Sequence, residues 1–516
     1  MERHGNMNVF KGPESMRSYF DPDFAPPLPL VEIPDRLNPL RKDGVRIYAK
    51  MMTALPCQNV KNLPALNMLL QAGPKAEGKA IVECSSGSTV ISVAMCARVL
   101  HGNDNVHAFV SNKTERSRLR TLQFFGLKPQ VTSPWALREL WLIAASRHLY
   151  GGPGQPEVLD PRGEIQRLKH WSQKSNDTWN PGQYENMDNP DSHVRWTGPQ
   201  LIVQLPEINV FCSGMGSAGC ITGVGKYLKD KKPSVTVVGI CNKTADAIPG
   251  PRPSALFEKV EFPWKRVTDA VREVSSIEAY RLSMLLSREG LICGPSSGMA
   301  LQGLLDFLED EKASGRLQSH ADAATGDVSC VFLCCDLPYQ YMDKYFEKLT
   351  ADADFHSIEN EELTAIDQGP YSPEWELTLE QATAIAKVRQ FALIGDTDER
   401  NGYMTPSSIP VIDLRAASDF NSLHIYGSIN KPLNSLASNT ESPFNQKSIL
   451  CDQAKDIECI IKGLSEGNAA PILVVCYNGE TSRLACSMLR HRGMESYSLK
   501  GGFSASVPVE FAKVHT

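Results

Sequence analysis

Short apolar runs alternate with helix-like stretches along the first two thirds of this chain, and this alternation restricts the possible folds more than any other feature. The apolar runs have the length typical of buried strands and occupy residues 80–83, 106–110, 208–212, 235–240 and 331–335. The helix-like stretches lie at residues 64–71, 90–100, 116–125, 221–229 and 277–288. Strands that alternate with helices predict an α/β fold with largely parallel sheets.

The remaining segments divide the chain into parts. Residues 150–191 are rich in Gly, Pro, Asn and Asp, which predicts a long loop or insertion. Residues 349–404 are acidic and contain prolines, which indicates a linker, and a second α/β pattern runs from Ile409 to the end. We predict an N-terminal extension, a main domain, a linker and a second domain, at residues 1–28, 29–348, 349–404 and 405–516.

Composition and cysteine usage limit the partners and the compartment. With 42% hydrophobic residues, 22% charged residues and a net charge of −6, the chain is typical of a globular protein that binds neither nucleic acid nor a membrane. Its 14 cysteines show neither metal-ligand spacing nor a secreted disulfide pattern, so we expect no metal and a reducing compartment. No signal peptide or membrane-spanning run is apparent. The expected location is the cytoplasm, with organellar targeting left open.

Four short motifs follow one another in the main domain. Lys61 precedes a predicted helix in the segment Asn59-Val60-Lys61-Asn62, and a Ser/Gly turn at residues 85–89 follows a strand. A glycine-rich loop occupies residues 214–223, and residues 294–298 read Gly-Pro-Ser-Ser-Gly. In this order and spacing the motifs resemble those of the cysteine synthase and cystathionine β-synthase family of fold type II pyridoxal-phosphate enzymes.

This resemblance implies a two-lobed fold of the tryptophan synthase β type, with pyridoxal 5'-phosphate as the cofactor and Lys61 as the catalytic Schiff-base lysine. The other cofactor contacts of the family match Ser88, Gly216, Ser217, Ala218, Gly219, Cys220 and Ser296. Main-chain N–H groups of a glycine-rich loop at a helix N-terminus suit a phosphate dianion. A serine opposite the ring nitrogen, where Ser296 matches, favours β-elimination and replacement over transamination.

The resemblance also implies a site for the carboxylate of an amino-acid substrate. The matching residues are Ser85, Ser86, Gly87, Thr89 and Gln183. Four features depart from the family pattern: Ser88 replaces an asparagine, Asn62-Leu63 replace the Asp-Arg after the lysine, Ala218 replaces a glycine, and Arg252 lies in the segment where the family has Gly-x-Gly. Arg252 could select a more acidic side chain. The inserted stretch before Gln183 is either a lid or a surface excursion.

From Ile409 to the end, the chain resembles a single rhodanese domain. Residues 411–415 are similar to the entry strand of that family, residues 474–483 to its active-site loop, and residues 499–503 to its closing element. Cys476 matches the catalytic, sulfur-carrying cysteine. A cysteine at the end of a buried strand and the start of a helix is well placed to be held as a thiolate. Arg483 either steers an anionic donor such as thiosulfate or caps the loop.

The leading hypothesis is a pyridoxal-phosphate-dependent transferase or lyase of cysteine biosynthesis. It performs β-replacement on an O-activated serine-type amino acid with a sulfur nucleophile, coupled to a rhodanese sulfurtransferase that carries sulfur. The expected partners are the amino acid and a sulfur donor, and the resemblance implies a homodimer. Two alternatives stay open: a related β-replacement or dehydratase enzyme with another substrate, and a cofactor-dead scaffold whose active part is the rhodanese domain.

Overall fold

The computed structural model describes residues 8–85, 87–112, 114–132, 158–159, 163–256, 260–349, 355–361, 364, 371–387, 393–395, 407–464 and 470–505. The chain forms two compact units, Met1–Phe355 and His356–Thr516. Both units contain strands that alternate with helices, as the sequence predicts.

Two sheets form the framework of the first unit. Its described strands are β1 (Leu30–Glu32), β2 (Val45–Met51), β3 (Ala80–Cys84), β4 (Val106–Ser111), β5 (Lys128–Thr132), β6 (Thr178–Trp179), β7 (Val210–Gly214), β8 (Thr236–Asn242), β9 (Ala270–Val274) and β10 (Val328–Cys334). The larger sheet has the order β1-β2-β10-β7-β8-β9 and is parallel except for β1. The smaller sheet, β5-β4-β3-β6, is parallel throughout. The two sheets correspond to the two lobes that the resemblance implies.

Helices connect these strands. They are α1 (Ser15–Phe20), α2 (Asn62–Ala72), α3 (Ser88–His101), α4 (Arg116–Phe124), α5 (Glu164–Lys174), α6 (Asp188–Ser192), α7 (Gly198–Gln204), α8 (Gly219–Lys231), α9 (Ser276–Arg288), α10 (Pro295–Ala313) and α11 (Met342–Lys348). A capping box starts α9, in which Ser275 and Glu278 satisfy each other's backbone N–H groups. Each helix predicted from the sequence is present, with ends displaced by a few residues.

Strand β10 shows why a continuous apolar run is the right pattern for this fold. All seven of its residues are buried. Val331 and Leu333 pack into one apolar cluster, while Cys330 and Phe332 pack into another. Because successive side chains of a strand point to opposite faces, helices must cover both faces of this sheet.

The prediction of a long loop at residues 150–191 is wrong for part of the described residues in this stretch. This stretch contains α5 and the short strand β6, which pairs with β3. Leu168 in α5 is buried, and this apolar contact outweighs the weak helical pattern of the segment. Residues 150–157 and 160–162 lie outside the described residues.

The second unit is a small α/β structure. Its described strands are β11 (Glu376–Leu377), β12 (Leu393–Gly395), β13 (Val411–Asp413), β14 (Leu423–Ile425), β15 (Ile429–Asn430), β16 (Ile472–Val475) and β17 (Ser496–Leu499). The described helices are α12 (Leu379–Ile385), α13 (Ala417–Ser422), α14 (Lys447–Lys462) and α15 (Glu480–His491). Five strands form a parallel sheet of order β11-β17-β16-β13-β15, and β12 pairs with β14.

Part of the expected linker belongs to this second unit. Leu377 pairs with Leu499 at the edge of the sheet, and Ala382 of α12 is fully buried. The limits of the four predicted parts stay a prediction.

The described residues contain neither a membrane-spanning helix nor a cluster of metal-binding side chains. None of their helices combines the length and the apolar character that crossing a membrane requires. Within the same residues, no group of three His, Cys, Asp or Glu side chains is arranged to hold a metal ion.

Candidate active site

A cavity of about 220 Å³ in the first unit brings together most of the residues predicted for cofactor and substrate. It lies where β3, β7 and β10 end, the position at which α/β sheets usually bind ligands. The predicted residues that line it are Lys61, Ser85, Gly87, Ser88, Thr89, Gln183, Gly216, Ser217 and Ser296. Ala218, Gly219 and Cys220 form the turn into α8 just behind this lining. Ser86 lies outside the described residues.

Lys61 stands immediately before α2, on a segment held from two sides. Its backbone N–H donates to Asn59 Oδ1 at 2.9 Å, and the same oxygen accepts from Ser92 Oγ of α3 at 3.0 Å. The Val60 N–H donates to the carbonyl of Cys335, just past β10, at 2.7 Å. The backbone of Lys61 is therefore fixed relative to helix α3 and to the end of β10 in the larger sheet.

The glycine-rich loop between β7 and α8 allows a close approach of main chain. A Cβ atom at Gly216 would lie 2.8 Å from the carbonyl oxygen of Gly250, and one at Gly219 would collide with the Asn189 side chain. Ala218 has φ +65°, a left-handed conformation that a glycine would adopt without strain. The loop thus leaves room for an anion at the N-terminus of the 13-residue helix α8.

Thr89 and Gln183 are joined to a third residue that the sequence analysis missed. Thr89 Oγ1 donates to Gln183 Oε1 at 3.0 Å, and Gln183 Nε2 donates to Glu83 Oε1 at 3.1 Å. Burial raises the pKa of Glu83 to about 8. A lone acid inside the apolar strand β3 was the available sequence signal.

Ser296 lies at the start of α10, close to a second carboxyl group that was missed. The Gly294 N–H donates to the Asp336 carbonyl at 2.8 Å, and Tyr341 Oη donates to Asp336 Oδ2 at 2.5 Å. Among the described residues, Asp336 Oδ1 has no hydrogen-bond partner. Burial raises the pKa of Asp336 to about 6, against the opposing effect of its hydrogen bond from Tyr341 and the charge of Lys61.

Arg252 also reaches this cavity. Only 3% of it is exposed, its guanidinium lies 4.7 Å from the centre of the Tyr184 ring, and Nη2 donates to Tyr184 Oη at 2.8 Å. These contacts hold a positive charge in the wall of the cavity.

In the second unit, Cys476 follows β16 and is fully buried. Its Sγ accepts hydrogen bonds from the backbone N–H groups of Gly479 at 3.2 Å and Ser482 at 3.3 Å. Helix α15 begins at this loop and directs its positive end toward the sulfur. These donors can stabilise negative charge on a sulfur atom bound at this position.

Arg483, in the first turn of α15, already has an acidic neighbour. Its Nη1 lies 3.3 Å from Glu376 Oε1, and its guanidinium lies 4.7 Å from the centre of the Phe444 ring. Glu376 belongs to β11, inside the expected linker. The ion pair reduces the charge that Arg483 can offer to a small anion. Its predicted role in steering or capping stays a prediction.

Comparison with known proteins agrees with this geometry. Residues 25–322 match the family model "Pyridoxal-phosphate dependent enzyme", and residues 398–507 match "Rhodanese-like domain". Cysteine synthase B of Salmonella typhimurium is 29% identical over 284 residues, which cover 54% of this chain and 84% of that protein. Cysteine synthase B of Pseudomonas aeruginosa is 31% identical over 257 residues, covering 48% and 77%.

A solved structure gives the same fold for the first unit. O-ureido-L-serine synthase aligns over 65% of this chain and 96% of its own, with 20% identity and a TM-score of 0.50. At this identity the likeness bears on the fold alone.

The chain belongs to the family of pyridoxal-phosphate-dependent enzymes, and its main domain is similar to cysteine synthases. It carries a rhodanese-like domain after that main domain. Pyridoxal 5'-phosphate is its cofactor, and the lysine, the small-residue loop and the helix N-terminus around the cavity fit that group.

Proposed function

We propose that the first unit catalyses β-replacement on an O-activated serine-type amino acid with a sulfur nucleophile. The observation that supports this most is the shared cavity, in which Lys61 and the carboxylate-binding candidates Thr89 and Gln183 lie together. Bound pyridoxal phosphate supplies an electron sink that stabilises negative charge on the substrate's α-carbon. We also propose a homodimer, from the family resemblance alone.

Each group of residues has a proposed task. Lys61 would hold the cofactor covalently until the amino group of the substrate displaces it. The freed Lys61 amine would then take the α-proton of the substrate and return it after the sulfur nucleophile has replaced the β-substituent. The phosphate of the cofactor would be held by Gly216, Ser217, Ala218, Gly219 and Cys220, and its ring would be contacted by Ser88 and Ser296. Ser85, Ser86, Gly87, Thr89 and Gln183 bind the substrate carboxylate.

Arg252 is the proposed selector of the substrate side chain. Its buried positive charge favours a β-substituent that carries negative charge, such as a phosphate ester, over a neutral acetate ester. Replacing Arg252 by glutamine should raise KM for O-phospho-L-serine by about tenfold or more, because a charge-assisted hydrogen bond contributes roughly 1.5–3 kcal/mol. KM for O-acetyl-L-serine should change less.

Steady-state kinetics with both esters measures this preference. Arg120→Gln, on an exposed position of α4, is the control and should leave both KM values unchanged. An equal rise in KM for the two esters in Arg252→Gln would assign Arg252 a structural role instead.

We further propose that the rhodanese-like domain carries sulfur on Cys476 and delivers it to the first unit. A covalent tether gives the second partner an effective concentration on the order of millimolar. A freely diffusing persulfide protein would rarely reach that concentration. In this transfer the terminal sulfur of the Cys476 persulfide replaces the β-substituent, which leaves, and Cys476 and the amino acid are then joined by a disulfide bond. Two equivalents of a low-molecular-weight thiol reduce this disulfide to Cys476 and the free product, and are themselves oxidised to a disulfide. The proposal therefore predicts that sulfur passes from Cys476 to the amino-acid product without mixing with sulfide in solution.

Isotope labelling tests this delivery. The intact protein receives a sulfane donor with labelled sulfur, a low-molecular-weight thiol as the reductant and excess unlabelled sulfide, and mass spectrometry follows the label in the product. The label should be retained, and Cys476→Ser should abolish that retention. Dilution of the label to the level of the bulk sulfide, or equal retention by separated halves at micromolar concentration, would contradict delivery within the chain.

A further inference from the structure

Glu83 is an unexpected residue at its position. It is the penultimate residue of β3, between Val82 and Cys84, and only 3% of it is exposed. Within the described residues, no cation pairs with it, and its Oε2 atom has no hydrogen-bond partner. A buried carboxyl group without a counter-charge costs free energy, so the stability of the strand does not explain its presence.

Its one described side-chain partner is a residue of the proposed substrate site. Glu83 Oε1 accepts the hydrogen bond from Gln183 Nε2 at 3.1 Å, and Gln183 Oε1 in turn accepts from Thr89 Oγ1 at 3.0 Å. The main chain of Gln183 is held separately, because Asn189 Nδ2 donates to its carbonyl oxygen at 2.6 Å. What remains free to vary at Gln183 is the orientation of the terminal amide.

The amide of a glutamine can rotate by half a turn with little change in shape, which exchanges its donor and acceptor ends. A carboxyl oxygen on one side attracts the NH₂ end and repels the carbonyl end. The Thr89 hydroxyl on the other side can donate or accept, so it fits either end of the amide, and here it donates to the carbonyl end. Glu83 therefore selects the orientation of Gln183, and Thr89 is compatible with it.

This orientation matters for binding an anion. The NH₂ group has two hydrogens, and Glu83 takes one of them. The second hydrogen is left for a ligand in the cavity that Gln183 lines. In the reversed orientation the carbonyl oxygen of Gln183 would repel a carboxylate there.

We propose that Glu83 is a positioning residue that orients the Gln183 amide so that an N–H group, and not a carbonyl oxygen, meets the α-carboxylate of the amino-acid substrate. This inference rests on the proposed function, because it requires an amino acid in the cavity. Glu83 itself lines a different, smaller recess and acts through Gln183. Burial raises the pKa of Glu83, and the ionised carboxylate enforces this orientation most strongly. A protonated carboxyl keeps the orientation when the proton lies on Oε2, which has no other described partner, because Oε1 then still accepts the hydrogen bond.

The test compares two ligands that differ only at the carboxylate, L-serine and L-serinamide. The change in the visible absorption of the bound cofactor reports their dissociation constants in the holoenzyme. Glu83→Met keeps the length of the side chain and removes the acceptor. We expect about a tenfold loss of L-serine affinity, as for a hydrogen bond to a charged group, and less than about a threefold loss for L-serinamide.

Three further variants make this result specific. Glu83→Gln restores an acceptor without a charge and should recover most of the preference for the carboxylate. Glu83→Asp withdraws the carboxyl from Gln183 by one methylene and should reproduce the loss, which provides a second measurement if Glu83→Met does not fold. Glu77→Gln, an exposed control, should match the wild-type protein.

The last comparison uses Gln183→Leu. If Glu83 acts through Gln183, adding Glu83→Met to Gln183→Leu should weaken L-serine binding no further. Additive losses, or equal losses for the two ligands, would overturn the inference and leave the proposed function standing. A wild-type holoenzyme that responds to neither ligand would overturn the proposed function and the inference together.

Discussion

Replacing Lys61 by alanine is expected to lower turnover by more than roughly 10³-fold and to abolish the covalent attachment of the cofactor. Lys61 is the only lysine among the described residues that line the cavity, so no neighbouring amine can replace it. Its backbone is fixed by Asn59 and by the end of β10, so the loss should come from chemistry and not from a displaced loop. Steady-state rates and the visible absorption spectrum measure the two effects.

Locating the residue that binds the cofactor covalently tests the role of Lys61 without an activity measurement. Borohydride reduction followed by peptide mass analysis should place the cofactor on Lys61 in the wild-type protein and nowhere in Lys61→Ala. Lys75→Ala, at an exposed position, is the matched control and should behave as the wild type. A variant that keeps its spectrum and its rate, or a map that finds the cofactor on another lysine, would show that Lys61 is the wrong residue.

Replacing Cys476 by serine is expected to remove sulfur transfer by the second unit completely. The backbone N–H groups of Gly479 and Ser482 surround Sγ, and they can stabilise the negative charge of a persulfide. Incubation of the wild-type protein with thiosulfate or another sulfane donor should therefore add one sulfur atom, visible in the intact mass. The serine variant should gain none.

Two other cysteines of the same unit serve as controls. Cys459 is exposed but lacks this set of donors, and burial raises the pKa of the Cys486 thiol well above its usual range. Cys459→Ser and Cys486→Ser should both still acquire the sulfur atom, provided that they fold. Its appearance on Cys476→Ser would mean that a different cysteine carries the chemistry.

Local pattern was enough to predict most elements of the first unit. The strand predicted at residues 80–83 lies within β3, and the strand predicted at residues 208–212 overlaps the start of β7. The helix predicted at residues 221–229 lies within α8. Parallel strands covered on both faces require unbroken apolar runs, and a loop that approaches other main chain requires small residues. Both requirements concern residues that are adjacent in the chain. The sequence alone therefore reveals them.

The helix α5 shows where local pattern was insufficient. Its segment contains charged and polar residues and is preceded by glycines and prolines, so it was predicted as a loop. Leu168 is buried, and Ile165 packs against an apolar cluster of residues that are mostly distant in sequence, and this packing stabilises the helix. The same holds for β11, a two-residue strand in the expected linker that exists because Leu377 pairs with Leu499.

The sequence by itself determined the fold class, the order of the motifs and the residues that could hold the cofactor and carry sulfur. Only the tertiary structure decided which acidic side chains contact the residues of these sites. Glu83 reaches Gln183 across 100 positions, and Glu376 reaches Arg483 across 107. Hydrogen bonds and ion pairs of this kind depend on distances of about 3 Å that the packing of whole sheets and helices establishes. No spacing along the chain encodes them, because the intervening residues determine where each partner lies.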